Sequence, residues 1–382
     1  MIFIFILIFG LSFLYLSIRN VSHCKVRVFP FLKGSWGQCT VGSLVGLAFL
    51  LGTFACFLFR KSFVATAGQA FFAVWLCEAL LIFVCFGVFR LCRRGVRGRP
   101  IGVLALQRAS RVLLVLSVVV SVVFLIVGGI RSNTYKVIEA DIRLGNGGKS
   151  FTGVFLSDIH VDPIFNRSKL ERFAAQMDSL HPDFIFLGGD IADMHSNDLL
   201  SEGYGPLFLR IASAAKSGAF AVSGNHESYM TRSDSDPIGF MTSSGWTFLS
   251  DSTTCTELAC ISGRIDHQLA RAMGVSRKGI LELAPKDSSR CWLMLDHQPK
   301  GLWNSDENPV QNVRLPDFAM SGHTHDGQFF PGTVIINWVW KLAYGLGRLD
   351  GIPWLVSSGF GNWGPGVRIG STTEIWILHF SY

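Results

Sequence analysis

The chain alternates apolar and polar positions in two different ways. Before residue 132 the apolar residues run together in four stretches, 1–18, 41–59, 66–89 and 112–130. Each approaches or exceeds the roughly 18–20 residues that a helix needs to cross a hydrocarbon core. Met1–Ile18 lacks the positive n-region and the cleavage site of a signal peptide. The pattern predicts about four transmembrane helices in a region 1–133. From Thr134 short apolar runs alternate with amphipathic segments, as in a layered α/β domain over 134–382. Apolar runs at 152–157, 183–187, 219–223, 292–295 and 318–321 predict strands. Ser168-Lys169-Leu170-Glu171 reads as a capping box. It opens a helix with Leu170, Phe173, Ala174, Met177 and Leu180 on one face. Residues 230–245 and 300–316 are polar and read as surface loops, candidates for a substrate mouth.

Composition sharpens the division. Of 382 residues, 49% are hydrophobic and 16% charged, and the mean hydropathy is +0.38, which suits a membrane protein. Residues 1–133 hold 14 Lys and Arg against one acid, Glu78, whereas 134–382 hold 20 against 26. The formal charge of +7 therefore belongs to the apolar half. The domain able to meet ligands in solution is acidic, which excludes nucleic acid as a partner. Between the apolar runs, the first and third loops carry eleven Lys and Arg and the second carries two. The positive-inside rule places those two loops in the cytoplasm and the region after Arg131 outside it. The expected setting is a multi-pass cell (inner) membrane with an extracytoplasmic catalytic domain and the lipid bilayer as partner. Glu78 is read as a carboxyl facing a neighbouring helix. Nine cysteines, six of them before residue 100, show no regular spacing and suggest no disulfide framework. A Cys255–Cys260 bridge is the pairing left open.

Each predicted strand in the second half ends in a polar cluster: Asp158-Ile159-His160, Gly188-Gly189-Asp190, Gly224-Asn225-His226-Glu227, Asp296-His297 and Gly322-His323-Thr324-His325. Ligands gather at the carboxyl ends of strands in open α/β sheets. Glycines beside them permit tight turns and close approach. Carboxylate, amide and imidazole groups without a CxxC suit a two-metal site and not a zinc ribbon. His181, His195, His267 and His379 match no cluster and read as ordinary.

Taken in order, these clusters resemble the calcineurin-like metallophosphoesterase superfamily over roughly residues 150–380. The tail Ser357-Ser358-Gly359-Phe360-Gly361 through Trp363-Gly364-Pro365 to Val367-Arg368-Ile369-Gly370 is similar to its bacterial membrane-associated branch. The resemblance implies a two-sheet sandwich flanked by helices, after an all-α transmembrane region. It implies that Asp158, His160 and His325 bind one divalent ion and Asn225, His297 and His323 a second, with Asp190 bridging them. The ions would be Mn, Fe or Zn. A hydroxide shared by the metals would attack a phosphomonoester or phosphodiester. His226 would protonate the leaving oxygen or steady the transition state, and Asp193 would orient it. Glu227 is a candidate buttress for the ligands, and Arg368 a substrate-binding candidate for a phosphate oxygen. Asp326 departs from the family, where many relatives have Gly. The expected substrate is a phosphoester, lipid-linked or from the envelope. Two other readings are a UDP-diacylglucosamine-type pyrophosphatase of lipid A synthesis, which needs the opposite orientation, and a catalytically silent metal-binding sensor or assembly module.

Overall fold

The computed structural model describes residues 126–382 apart from 146, 164, 231–234, 288, 305–307, 331 and 365, together with 119, 123 and 124. The expected spans 1–18, 41–59 and 66–89, Glu78 and most of 112–130 lie outside the described residues. Among the described residues, no helix is long and apolar enough to cross a membrane. The chain divides into two compact units, Met1–Val127 and Gly128–Tyr382. Residues 128–133, which the apolar pattern assigns to the membrane region, thus belong to the C-terminal unit.

That unit is built on two mixed six-stranded sheets. The first contains β1 (Lys136–Arg143), β2 (Ser150–Leu156), β3 (Phe184–Leu187), β4 (Gly218–Ala221), β5 (Thr247–Phe248) and β12 (Glu374–Ser381), in the order β1-β12-β2-β3-β4-β5. The second contains β6 (Ser252–Cys255), β7 (Ala259–Gly263), β8 (Cys291–Leu295), β9 (Phe318–Ser321), β10 (Gly345–Leu349) and β11 (Ile352–Val356), in the order β10-β11-β9-β8-β7-β6. β2, β3 and β4 run parallel, as do β7, β8, β9 and β11. The residues after these strands therefore gather at one edge of each sheet.

Alternation along each strand decides which core a side chain joins. In β3, Phe184 and Phe186 face the second sheet, with Phe155, Phe220, Leu293, Leu295, Phe318 and Met320 in the same core. Ile185 and Leu187 point the other way, toward Leu170, Phe173 and Met177 of α1 (Arg167–Leu180) and Phe208 and Ile211 of α3 (Tyr204–Ser213). Both faces of β3 are covered, so its sequence is apolar throughout. Each buried Phe or Leu contributes about 1.5–3 kcal/mol. α2 (Ser196–Ser201) lies between α1 and α3 in the chain. The outer face of the second sheet packs Trp292, Met294, Trp354 and Val356 against Ile280, Leu302 and Leu349.

Two expectations need correction, and the pairing left open is formed. α1 begins at Arg167 with Asn166 as a cap that makes no side-chain hydrogen bond, so Ser168 lies inside the first turn and forms no capping box. The polar stretch 230–245 contains the helix α5 (Pro237–Ser243), which follows α4 (Glu227–Met230). Asp236 accepts from Gly239 N at 2.8 Å and starts α5, and Phe240 and Met241 bury there. Cys255 and Cys260 form a disulfide across directly paired positions of β6 and β7. α6 (His267–Met273) and α7 (Gly332–Val339) complete the helices used below.

Candidate metal centre

The turns that follow the strands are held to one another by backbone hydrogen bonds. Asp158 N donates to Gly189 O at 2.9 Å, His160 N to Asp190 O at 3.0 Å, and Gly322 N to His297 O at 3.0 Å. The price of this convergence is local strain. Five of the seven expected ligands have left-handed backbone: Asp158 (φ 54°), His160 (49°), Asp190 (51°), His323 (72°) and His325 (50°). Each such non-glycine residue costs about 1–2 kcal/mol, and strain of this kind concentrates at functional sites. Two glycines make room. A Cβ on Gly189 (φ 91°) would lie 2.6 Å from Gly224 N, and one on Gly224 would lie 2.1 Å from Asp190 Oδ1.

The donor atoms fall into overlapping groups. Asp158, His160 and His325 place theirs within 4.8 Å of one another, as do Asp190, His297 and His323. His160 Nε2 is 3.1 Å from His325 Nε2, and His325 Nε2 is 3.4 Å from Asp158 Oδ1. In the second group His297 Nε2 is 3.2 Å from both Asn225 Oδ1 and His323 Nδ1. Asp190 Oδ2 is 3.1 Å from His297 Nε2 and 3.6 Å from His160 Nε2, so one carboxylate reaches both groups. Asp158, Asp190, His160, His297 and His325 are all buried. His297 Nδ1 lies 2.7 Å from the Gly188 carbonyl, and a hydrogen bond there leaves Nε2 for a ligand.

Burial pushes the His323 imidazole down to about 3, with His297 adding to the effect. It also holds His325 well below the ordinary range, with Arg368 adding. Both therefore keep lone pairs at neutral pH. His297 and Asp190 behave as an ion pair: burial opposes charge on each, but their mutual attraction raises His297 and lowers Asp190. Buried carboxylates crowded among imidazoles are the donors that divalent cations of the Mn, Fe and Zn kind accept.

Beside this centre, Asp193 joins two imidazoles. His226 Nδ1 is 2.5 Å from Asp193 Oδ1, and His160 Nδ1 is 3.2 Å from the same carboxylate. Burial would raise the Asp193 carboxyl, but the charge and hydrogen bonds of His160 and His226 hold it below the usual range. Burial likewise opposes charge on His226, yet Asp190 and Asp193 push it up to about 9. His226 N donates to Asp190 Oδ1 at 2.8 Å, which ties the histidine to the bridging position. Glu227 accepts from Asp190 N, Ile191 N and Gly224 N at 3.1, 2.8 and 2.6 Å, clamping two of the site turns.

Residues 152–327 match the profile of the calcineurin-like phosphoesterase family. Those residues form a calcineurin-like phosphoesterase domain. An uncharacterised metallophosphoesterase of Helicobacter pylori strain J99 is 28% identical over 249 residues, 64% of this chain and 63% of that protein. The chain thus aligns with less than two thirds of that relative's length. A transmembrane protein with metallophosphoesterase domain from Danio rerio is 28% identical over 398 residues, 96% of this chain and 85% of its own. An uncharacterised metallophosphoesterase of Campylobacter jejuni is 25% identical over 387 residues, 99% and 97% of the two chains.

Within the metallophosphoesterase domain, Arg368 departs from its expected role as a phosphate anchor. It is fully buried, and its guanidinium is committed to the protein. Nε donates to Asn362 Oδ1 at 2.9 Å, Nη1 to His325 O at 2.9 Å and Ser371 Oγ at 3.2 Å, and Nη2 to Ser358 O and Gly361 O, both at 2.7 Å. Nη2 also lies 3.0 Å from His325 Nδ1. Arg368 is therefore a positioning residue for the His325 turn. Asp326 has φ 49°, a backbone conformation that favours glycine. Burial raises its carboxyl to about 6. Asp296 serves no metal group; its carboxylate accepts from Arg277 Nη2 at 2.6 Å. Sequence reasoning passed over Trp340, whose ring packs edge-on against His323 with centroids 5.3 Å apart. No spacing or motif marks that contact.

Proposed function

We propose that this chain is a membrane-anchored phosphoesterase that binds two divalent ions and hydrolyses a phosphomonoester or phosphodiester outside the cytoplasm. The observation that carries the reading is the single Asp190 carboxylate within reach of two buried donor groups. Asp158, His160 and His325 would hold one ion, and Asn225, His297 and His323 the other, with Asp190 between. When bound, such ions supply an activated water and offset charge that develops on the phosphoryl oxygens. With Nδ1 engaged by Asp193 and the ring a quarter exposed, His226 can offer a proton from Nε2 to the leaving oxygen. Asp193 fixes the orientation of that imidazole through its 2.5 Å hydrogen bond. A retained His226–Asp193 pair speaks for catalysis over a silent metal-binding module.

Two observations support the extracytoplasmic placement. One is the Lys and Arg bias of the loops. The other is the Cys255–Cys260 disulfide, a bond that persists in oxidising compartments. Both disfavour a pyrophosphatase that draws nucleotide from the cytoplasm. A catalytic domain next to a bilayer makes a lipid or envelope phosphoester the fitting substrate. The test is hydrolysis of an aryl phosphate and an aryl phosphodiester by the purified full chain with Mn²⁺, Fe²⁺ or Zn²⁺. Asp190→Asn is expected to lose metal and turnover together. A folded wild-type protein that turns over neither substrate with any of the ions would refute the proposal.

A further inference from the structure

An apolar surface lies beside the metal centre. α7 carries no charged residue and buries none of its side chains. Trp338 is 79% exposed and Val339 67%, and Val334, Ile335 and the preceding Phe330 are exposed as well. A short helix gains little stability from its own hydrogen bonds, and a contiguous apolar patch on a surface marks a place of contact. α7 is also fastened to the site. Trp340 N donates to Ile336 O at 3.0 Å, while the Trp340 ring packs on His323.

Gly128, the first residue of this unit, packs against the same segment that meets the start of α7. Arg368 N donates to Gly128 O at 3.0 Å, and a Cβ on Gly128 would lie 3.2 Å from Ile369 and Val367. Phe330 N donates to Ile369 O at 2.9 Å, and a Cβ on Gly370 would lie 3.1 Å from Thr333 at the start of α7. Gly128, Ile369, Phe330 and Thr333 thus form one continuous line. Trp363, 49% exposed, projects from the neighbouring loop, where Asn362 donates to Ser132 Oγ at 2.6 Å. Lys341, two residues after α7, is exposed, as is Arg348 in β10.

We infer that α7, with Phe330 and Trp363, docks into the interfacial layer of the lipid bilayer. The inference rests on the membrane-anchored reading above. The occupant follows from the chain itself: Gly128, Gly129 and Ile130, the last residues of the apolar 112–130 run, lie in this unit, and Gly128 packs on Val367 and Ile369 beside the patch. Exposed tryptophan at the rim, apolar aliphatic side chains beside it and flanking cations match the chemistry of the headgroup boundary. Docking there brings the His323 side of the metal centre next to headgroup phosphoesters, the substrate class that the surface selects.

The experiment uses the full chain reconstituted in phosphatidylcholine vesicles, plain or brominated on the acyl chains, as wild type and Trp338→Phe. The emission lost on substitution is that of Trp338, and brominated lipid is expected to quench it at least twofold. Equal Trp338 emission in both vesicle types overturns the inference, whether α7 then faces water, a second copy or another protein. Aryl phosphate hydrolysis is expected to stay within twofold of wild type in Trp338→Phe, which shows that the variant is folded. If neither protein hydrolyses an aryl phosphate or an aryl phosphodiester with any of the ions, the phosphoesterase reading fails, while the quenching still decides the docking.

Discussion

Asp193 contacts a metal-ligand candidate and the candidate proton donor at once, through His160 Nδ1 and His226 Nδ1. This arrangement separates two kinds of loss. His226→Gln is expected to keep its metal and lose roughly 10²- to 10⁴-fold in kcat, the usual contribution of a positioned acid or base. Asp193→Asn should lose activity and also weaken metal binding by about 10- to 100-fold, because the partner of a ligating histidine goes with it. Metal analysis beside steady-state kinetics separates the two, and full activity in His226→Gln would remove that residue from the mechanism. Arg368→Lys tests the corrected role of Arg368. A lysine cannot reproduce the forked contacts to His325, Ser358 and Gly361. The expected result is lower metal affinity and a lower Tm. A change confined to KM would restore it to substrate binding. The candidate ligands were legible because their chemistry is written in type and order. The inward turn of Arg368 was not, since an arginine in a loop has the same sequence signature whether it meets a phosphate or a carbonyl.

Between α1 and the residues that precede β1, Lys169 is buried and donates to Ser132 O at 2.8 Å and to Phe360 O. Burial holds its amine well below the ordinary lysine value, with Arg368 adding. The unfolded chain therefore binds more protons between that depressed value and about 10.4, and stability rises with pH across this window. Lys169→Met should flatten the rise, as read from Tm of the detergent-solubilised full chain in an alkaline pH series. An unchanged slope would assign the effect elsewhere. In β2, a Cβ on Gly153 would meet the Phe186 ring at 2.7 Å, so Gly153→Ala is expected to cost about 1–3 kcal/mol by overpacking. Replacing Cys255 and Cys260 together by Ser should cost about 2 kcal/mol for so short a loop. Denaturant unfolding measures both. The strand positions were visible from apolar runs, and the buried face of α1 from its spacing. The α1 cap and α5 were missed for a common reason. Ser and Asp serve caps and loops alike, and the neighbouring chain decides between them.

At the scale of the molecule, the proposed extracytoplasmic placement of the phosphoesterase domain has a direct test. Alkaline phosphatase fused after Tyr382 is expected to be active, and Cys255 and Cys260 to resist alkylation in intact cells until a reductant is added. An inactive fusion with freely alkylated thiols would reverse the orientation and bring back the nucleotide-linked pyrophosphatase. The sequence by itself determined the α/β class of the C-terminal unit and which residues are candidate metal donors. Each of these depends on composition or on periods of a few residues, which local physics expresses directly. Tertiary structure decided which donors share a group, that Cys255 meets Cys260, that Arg368 turns inward and that α7 is left uncovered. Those outcomes join residues as far apart as His160 and His325, 165 positions along the chain. They depend on strand order and register across two sheets, which only the packed core selects.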